Sequence, residues 1–172
     1  MRLDAITSKS RISKRRYPPA SIVWVMAVTL IAVVSVFAVS QWQPPTDSSP
    51  AFFTAKPDPH EQGQPILQGK ELTGEYFSHA YQIGAYKDAA KVSDRLYLMP
   101  CYCRCDRADG HKSLHSCFEG THGAVCGVCM KEARYVYLMT QAKWSVDQIR
   151  AGIQQGKWQD IDLRKTYPEP AP

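Results

Sequence analysis

The chain has no glycine-rich phosphate loop, no serine-nucleophile motif and no His-Glu-x-x-His, so nothing in it supports an ordinary hydrolase or transferase. Alternation of apolar and polar residues is missing too, and no internal repeat appears. Those two absences leave a helical reading. Net charge is lacking where a nucleic acid would need it. The overall +5 is already contained in residues 1–20, which hold Arg2, Lys9, Arg11, Lys14, Arg15 and Arg16 against Asp4, and the remainder is balanced. The basic character is therefore a topology signal, and nucleic acid is set aside as a partner. No histidine follows Cys129. Met130 stands where a c-type haem attachment would need one, so haem is not expected.

Cysteine is absent everywhere except from Cys101 to Cys129, and within that stretch lie all six cysteines with His111, His115 and His122. The order is Cys101-x-Cys103-x-Cys105, then Gly110-His111, Cys117-Phe118, His122 and Cys126-x-x-Cys129. Thiols are the softest and most redox-active ligands a protein has, and imidazole is the usual nitrogen ligand. Such clustering either staples a small fold or builds a site.

Ile22–Val39 is an apolar run broken only by Thr29 and Ser35. As a helix it would reach about 27 Å, close to the ~30 Å of a bilayer core. The bases ahead of it predict a cytoplasmic N-terminus and an extracytoplasmic remainder, periplasmic or at the cell surface, attached to the cell membrane. A cleaved signal peptide ending near Ala38 and Ser40 is the alternative, but its apolar region would be shorter. The expected order is a basic tail over 1–20, a single transmembrane anchor over 21–40, a proline-rich stalk over 41–65, a Cys/His-rich helical domain over 66–166 and a loose tail over 167–172. Phe52 and Phe53 in the stalk either meet the headgroups or dock on the domain.

Within the domain Ile83, Tyr86 and Ala90 predict a helix that breaks near Ser93-Asp94 and ends before Pro100. Pro100 predicts an extended Cys101–Cys105 segment with its three cysteines on one side. A short helix is expected over 111–118, placing His111 and His115 on one face. Thr121 should cap the next helix, whose inward stripe runs through Cys126, Cys129, Met130, Ala133, Val136, Tyr137 and Thr140. Ser145 with Gln148 forms a capping box for the last helix, stapled by Trp144 and Ile149 and ended by Gly156. The fold class expected is thus all-α: a small helical Cys/His-rich domain behind a single N-terminal transmembrane helix.

Pro100-Cys-Tyr-Cys-Arg-Cys105, Gly110-His-x-Ser-Leu-x-x-Cys-Phe118, His122-x3-Cys126-x2-Cys129 and Glu132-Ala133 resemble the bacterial family named for its PCYCGC motif. Tyr86, Ala90, Leu96 and Ser145-x3-Ile149 extend the likeness over about residues 80–155. The resemblance implies an exported, membrane-attached domain and no defined activity. This chain departs from the pattern twice: Arg104 replaces the motif's glycine, and no lipobox cysteine stands near residue 40.

Three chemistries remain open. Cys101, Cys103, Cys105, Cys117, Cys126 and Cys129 with His111 and His122 can ligate a thiophilic ion such as copper or zinc. The same cysteines can pair as disulfides that staple an interaction module for another extracytoplasmic protein. Cys126 and Cys129 at a helix start can act as a thiol–disulfide couple, although the βαβ context of that chemistry is missing. The histidines favour the metal, since neither alternative uses them. His115 is the weakest candidate, expected exposed, and His60 and His79 lie outside the cluster. Met99 and Met130 serve equally as soft contacts or core filler.

Overall fold

The computed structural model describes residues 42–170. The helices are α1 (Ala80–Lys91), α2 (Ser93–Leu96), α3 (Cys105–Ala108), α4 (His122–Val125), α5 (Gly127–Gln141), α6 (Val146–Gln154) and α7 (Leu163–Thr166). Two 3-10 turns, Gly69–Glu71 and Glu75–Phe77, precede α1, and a third, Leu114–Phe118, lies between α3 and α4. One two-stranded antiparallel ladder precedes the helices, with β1 (Trp42–Gln43) facing β2 (Phe52–Phe53) and Trp42 opposite Phe53.

Two parts of the expected architecture are corrected. Residues 66–166 are helical, as expected, but β1 and β2 pair in the segment expected as a stalk, so the described chain is not all-α. No helix among the described residues is long and apolar enough to cross a membrane. The expected transmembrane segment, 21–40, and the basic tail before it fall outside the described residues, as do 171–172. The ladder escaped sequence reading because two residues per strand are too few to show a period.

The proline-bearing segment runs along the domain. Pro50, Ala51, Phe53 and Ile66 are buried, and the Phe53 N–H donates to Tyr97 O at 2.9 Å. The Phe53 ring meets Tyr97 edge-on, centroids 6.1 Å apart. At the other end Tyr167 donates its hydroxyl to Asp88 Oδ2 (2.5 Å), which also accepts from Arg134 Nη1 (2.6 Å). That shared carboxylate links α1, α5 and the C-terminal residues.

α1 lies against α5, and α5 against α6. Tyr86, Leu96, Met99, Leu114, Phe118, Cys129, Ala133, Val136, Ile149 and Ile153 fill the space between them. Tyr86 organises one end of this core. Its hydroxyl donates to Gly120 O (2.6 Å) and accepts from Ala124 N (3.1 Å), and its ring meets Phe77 and Phe118 edge-on. Burial pushes its phenol well above the ordinary range.

Where the signal was local the helices follow the sequence. α1 ends at Lys91 and α2 restarts at Ser93, next to the expected break. α6 carries the expected capping box: Gln148 N donates to Ser145 Oγ at 3.3 Å, and Ser145 N donates to Gln148 Oε1 at 2.9 Å. Past its end Gly156 takes φ 72°, closing the helix as a left-handed cap. Ser145→Ala should cost about 1 kcal/mol of stability, read as a lower urea midpoint with unchanged slope.

Candidate metal centre

Four segments bring the sulfurs together, and the first does so by a turn. Arg104 N donates to Cys101 O (3.2 Å), folding residues 101–104 back on themselves. Arg104 itself sits in the left-handed region at φ 63°, ψ 27°, and α3 starts at Cys105. The extended Cys101–Cys105 segment expected from Pro100 is therefore corrected. Glycine would occupy position 104 without steric cost, whereas arginine occupies it at a cost of about 1 kcal/mol. The guanidinium offsets this by holding Asp106 and the carbonyls of Thr46 and Asp47, the closest being Nη2 to Thr46 O at 2.8 Å.

The turn places Cys101 Sγ 3.4 Å from Cys103 Sγ, and both lie against Cys129 Sγ, at 3.4 and 3.5 Å. Cys129 reaches them from the first turn of α5. Cys105 Sγ lies 3.3 Å from Cys117 Sγ, which comes from the Leu114–Phe118 turn. Gly123 lets α4 pack against that turn, because a Cβ there would sit 2.8 Å from Cys117 O. His111 directs Nδ1 at Cys117 Sγ (3.4 Å). His122, at the start of α4, directs Nε2 at Cys103 Sγ (3.9 Å) and Nδ1 at Asp109 Oδ2 (3.5 Å). A carboxylate on the far nitrogen is the arrangement that orients a metal-binding imidazole.

Three overlapping sets of four donors have all their ligand atoms within 4.8 Å of one another: Cys101, Cys103, Cys105 and Cys117; Cys103, Cys117, His122 and Cys129; Cys105, His111, Cys117 and His122. A tetrahedral ion with metal–sulfur bonds near 2.3 Å holds its sulfurs about 3.8 Å apart. The sulfur pairs at 3.3–3.5 Å need to open by only a few tenths of an ångström to reach that spacing. A Cys/His group able to hold a metal ion is thus present, and all six cysteines are free thiols.

Cys126 stands apart from these sets. The helix expected to run through it is broken there, with φ −113°, ψ 105°, so α4 ends at Val125 and α5 begins at Gly127. Cys126 caps α5 and is half-buried, while Cys129 is fully buried. His115 is also unlike its expectation. It is 1 % exposed, stacks on Tyr97 at 3.8 Å, and bonds Glu119 Oε1 (2.9 Å) and Ser93 Oγ (3.1 Å). It packs in the core, and the 3-10 geometry of 114–118 points it away from His111. His60 is exposed, and His79 caps α1. Met99 and Met130 are buried in the core.

The electrostatics divide the thiols. Hydrogen bonds from neighbouring thiols, that of Cys101 first, push Cys103 and Cys105 below the ordinary thiol range. Burial first, then Cys103 and Cys105, push Cys101 up, and Cys129 is pushed up by Cys101 and the other thiols. Negative charge is thus favoured on Cys103 and Cys105 and disfavoured on Cys101 and Cys129. His111 is pushed up chiefly by its hydrogen bond to Cys105.

Sequence reasoning placed one group near the site without giving it a role. Glu132, fully buried one turn beyond Cys129, accepts from Tyr102 N at 2.9 Å and so holds the turn between Cys101 and Cys103. Its Oε2 has no hydrogen-bond partner among the described residues. The available signal was an acidic residue beside Ala133 on an otherwise inward stripe.

A family model described as a protein of unknown function with PCYCGC motif matches residues 75–172. No curated protein and no solved structure matches the chain.

Proposed function

The chain belongs to the PCYCGC family, whose function is unknown, and we propose that its cysteine and histidine cluster binds a thiophilic metal ion, copper or zinc, for delivery, sensing or sequestration. The observation that carries this reading is the convergence of thiol and imidazole donors from four segments within one coordination radius. Soft sulfur and borderline nitrogen together select such ions over calcium or magnesium. Cys103, His111 and His122 are half-buried, while Cys101, Cys105, Cys117 and Cys129 lie beneath them. An ion meets the half-buried donors first and is then held from below.

The thiol–disulfide couple receives less support. A nucleophilic cysteine needs a depressed thiol, and Cys126 is pushed up, chiefly by its hydrogen bonding with Cys103. Disulfide staples would leave both imaginable roles of His111 and His122, orientation and ligation, without a purpose.

The test is a chelator competition on the reduced, oxygen-free chain with copper(I) or zinc(II). The wild type should retain metal. Cys103→Ser with Cys129→Ser should weaken retention on the order of 100-fold, and Cys126→Ser should change it little. Complete loss of metal from the wild type to a weak chelator would sink the reading.

A further inference from the structure

We propose that the cluster is a two-ion site in which Cys117 is a bridging thiolate. The inference rests on the metal-binding reading and adds its stoichiometry and ligand partition. Seven side chains participate in the three donor sets, and one tetrahedral ion is saturated by four. Three donors would then be left over. Two separate tetrahedra need eight donors, and seven donors supply eight positions when one sulfur is shared.

The distances name that sulfur. Cys117 is the one residue common to all three sets. It lies within 4.8 Å of Cys101 and Cys103 in the first set and of Cys129 in the second. Because Cys101, Cys103 and Cys129 are themselves 3.4–3.5 Å apart, these four make an all-sulfur set. Cys105, His111, Cys117 and His122 make the other, of two sulfurs and two nitrogens. The partition uses every one of the seven donors and repeats only Cys117.

Charge bears on which ions fill both sets. With both occupied, binding replaces the thiol protons with metal, leaving five thiolates and two neutral imidazoles. Two divalent ions would then leave a charge of −1 in a largely buried cluster. Two monovalent ions would leave −3, so the charge balance selects divalent ions, with zinc as the probe. Thiolates that bridge two ions are shared acceptors, which suits a sulfur buried as fully as Cys117.

The experiment is native mass spectrometry of the full chain, reduced without oxygen, loaded with excess zinc(II) and desalted. Two zinc ions per chain are expected. Retention of one would overturn the two-ion site and leave the metal-binding reading standing, and retention of none would overturn both. His111→Gln with His122→Gln removes two half-buried donors of the mixed set, and its expected count is one. A count of two in that variant would overturn the partition. X-ray absorption of the two-zinc wild type checks the bridge independently of any variant's folding. It should contain a zinc–zinc scattering contribution, and its absence would overturn the role of Cys117.

Discussion

Loading the reduced chain with zinc is expected to raise its melting temperature by on the order of 15 °C. The folded chain presents the donors together, whereas the unfolded chain spreads them over residues 101–129 and must close loops to gather them. A ligand that binds the native state alone stabilises it by about 4 kcal/mol at a thousandfold excess over its dissociation constant. For a domain of this size one kcal/mol moves the midpoint by roughly 4 °C. A strong chelator should return the midpoint to that of the metal-free chain. The shift should also shrink as pH falls. Cys101 and Cys129 are held above the ordinary thiol range, so their protons compete with the ion and binding strengthens as pH rises. Scanning calorimetry or circular dichroism at pH 6 and pH 8 measures both effects. A midpoint insensitive to zinc at either pH would mean that the donors do not act together.

How much of this was legible depended on whether the deciding interaction was local. The break before Ser93 and the Ser145–Gln148 box are set within one turn of helix, and residues within that turn announce them. The reversal at Arg104 was not announced, because the usual marker of a left-handed residue is glycine and this chain carries arginine there. Its stabilising partners, the carbonyls of Thr46 and Asp47, are remote in sequence. The break at Cys126 was hidden for another reason. The apolar stripe runs through it in phase, and no local residue marks the interruption, which coincides with the close tertiary approach of Gly123 to Cys117. The ligand chemistry was readable from residue types and clustering. The separation of His111 from His115, and the absence of Cys126 from the donor sets, required the 3-10 turn and the helix break to be known.

Glu132→Gln is expected to stabilise the metal-free, reduced domain by about 3 kcal/mol at pH 7, an effect that should vanish near pH 4.5. Glu132 is fully buried, and burial is the main cause that pushes its carboxyl up to about 8 from an ordinary value of 4.5. The thiolate character of Cys103 and Cys105 adds to the rise, while hydrogen bonding with Cys101 and Tyr102 N opposes it. Below pH 4.5 both folded and unfolded carboxyls are protonated, and the residue costs nothing. Between 4.5 and 8 the unfolded chain releases this proton and the folded chain keeps it, so stability falls as pH rises. Above 8 the folded carboxyl ionises too and the loss stops growing, at roughly 5 kcal/mol by the 1.36 kcal/mol that each tenfold of proton affinity represents. Glutamine keeps an oxygen for Tyr102 N and cannot ionise, so the cost disappears with the turn still held. Urea unfolding at pH 4.5, 6 and 7.5 measures the difference. The two proteins should match at the first pH and diverge progressively, with the variant the more stable. Parallel pH profiles would show that water or another group already solvates the ionised carboxylate. A less stable variant at every pH would assign Glu132 a charged structural role instead.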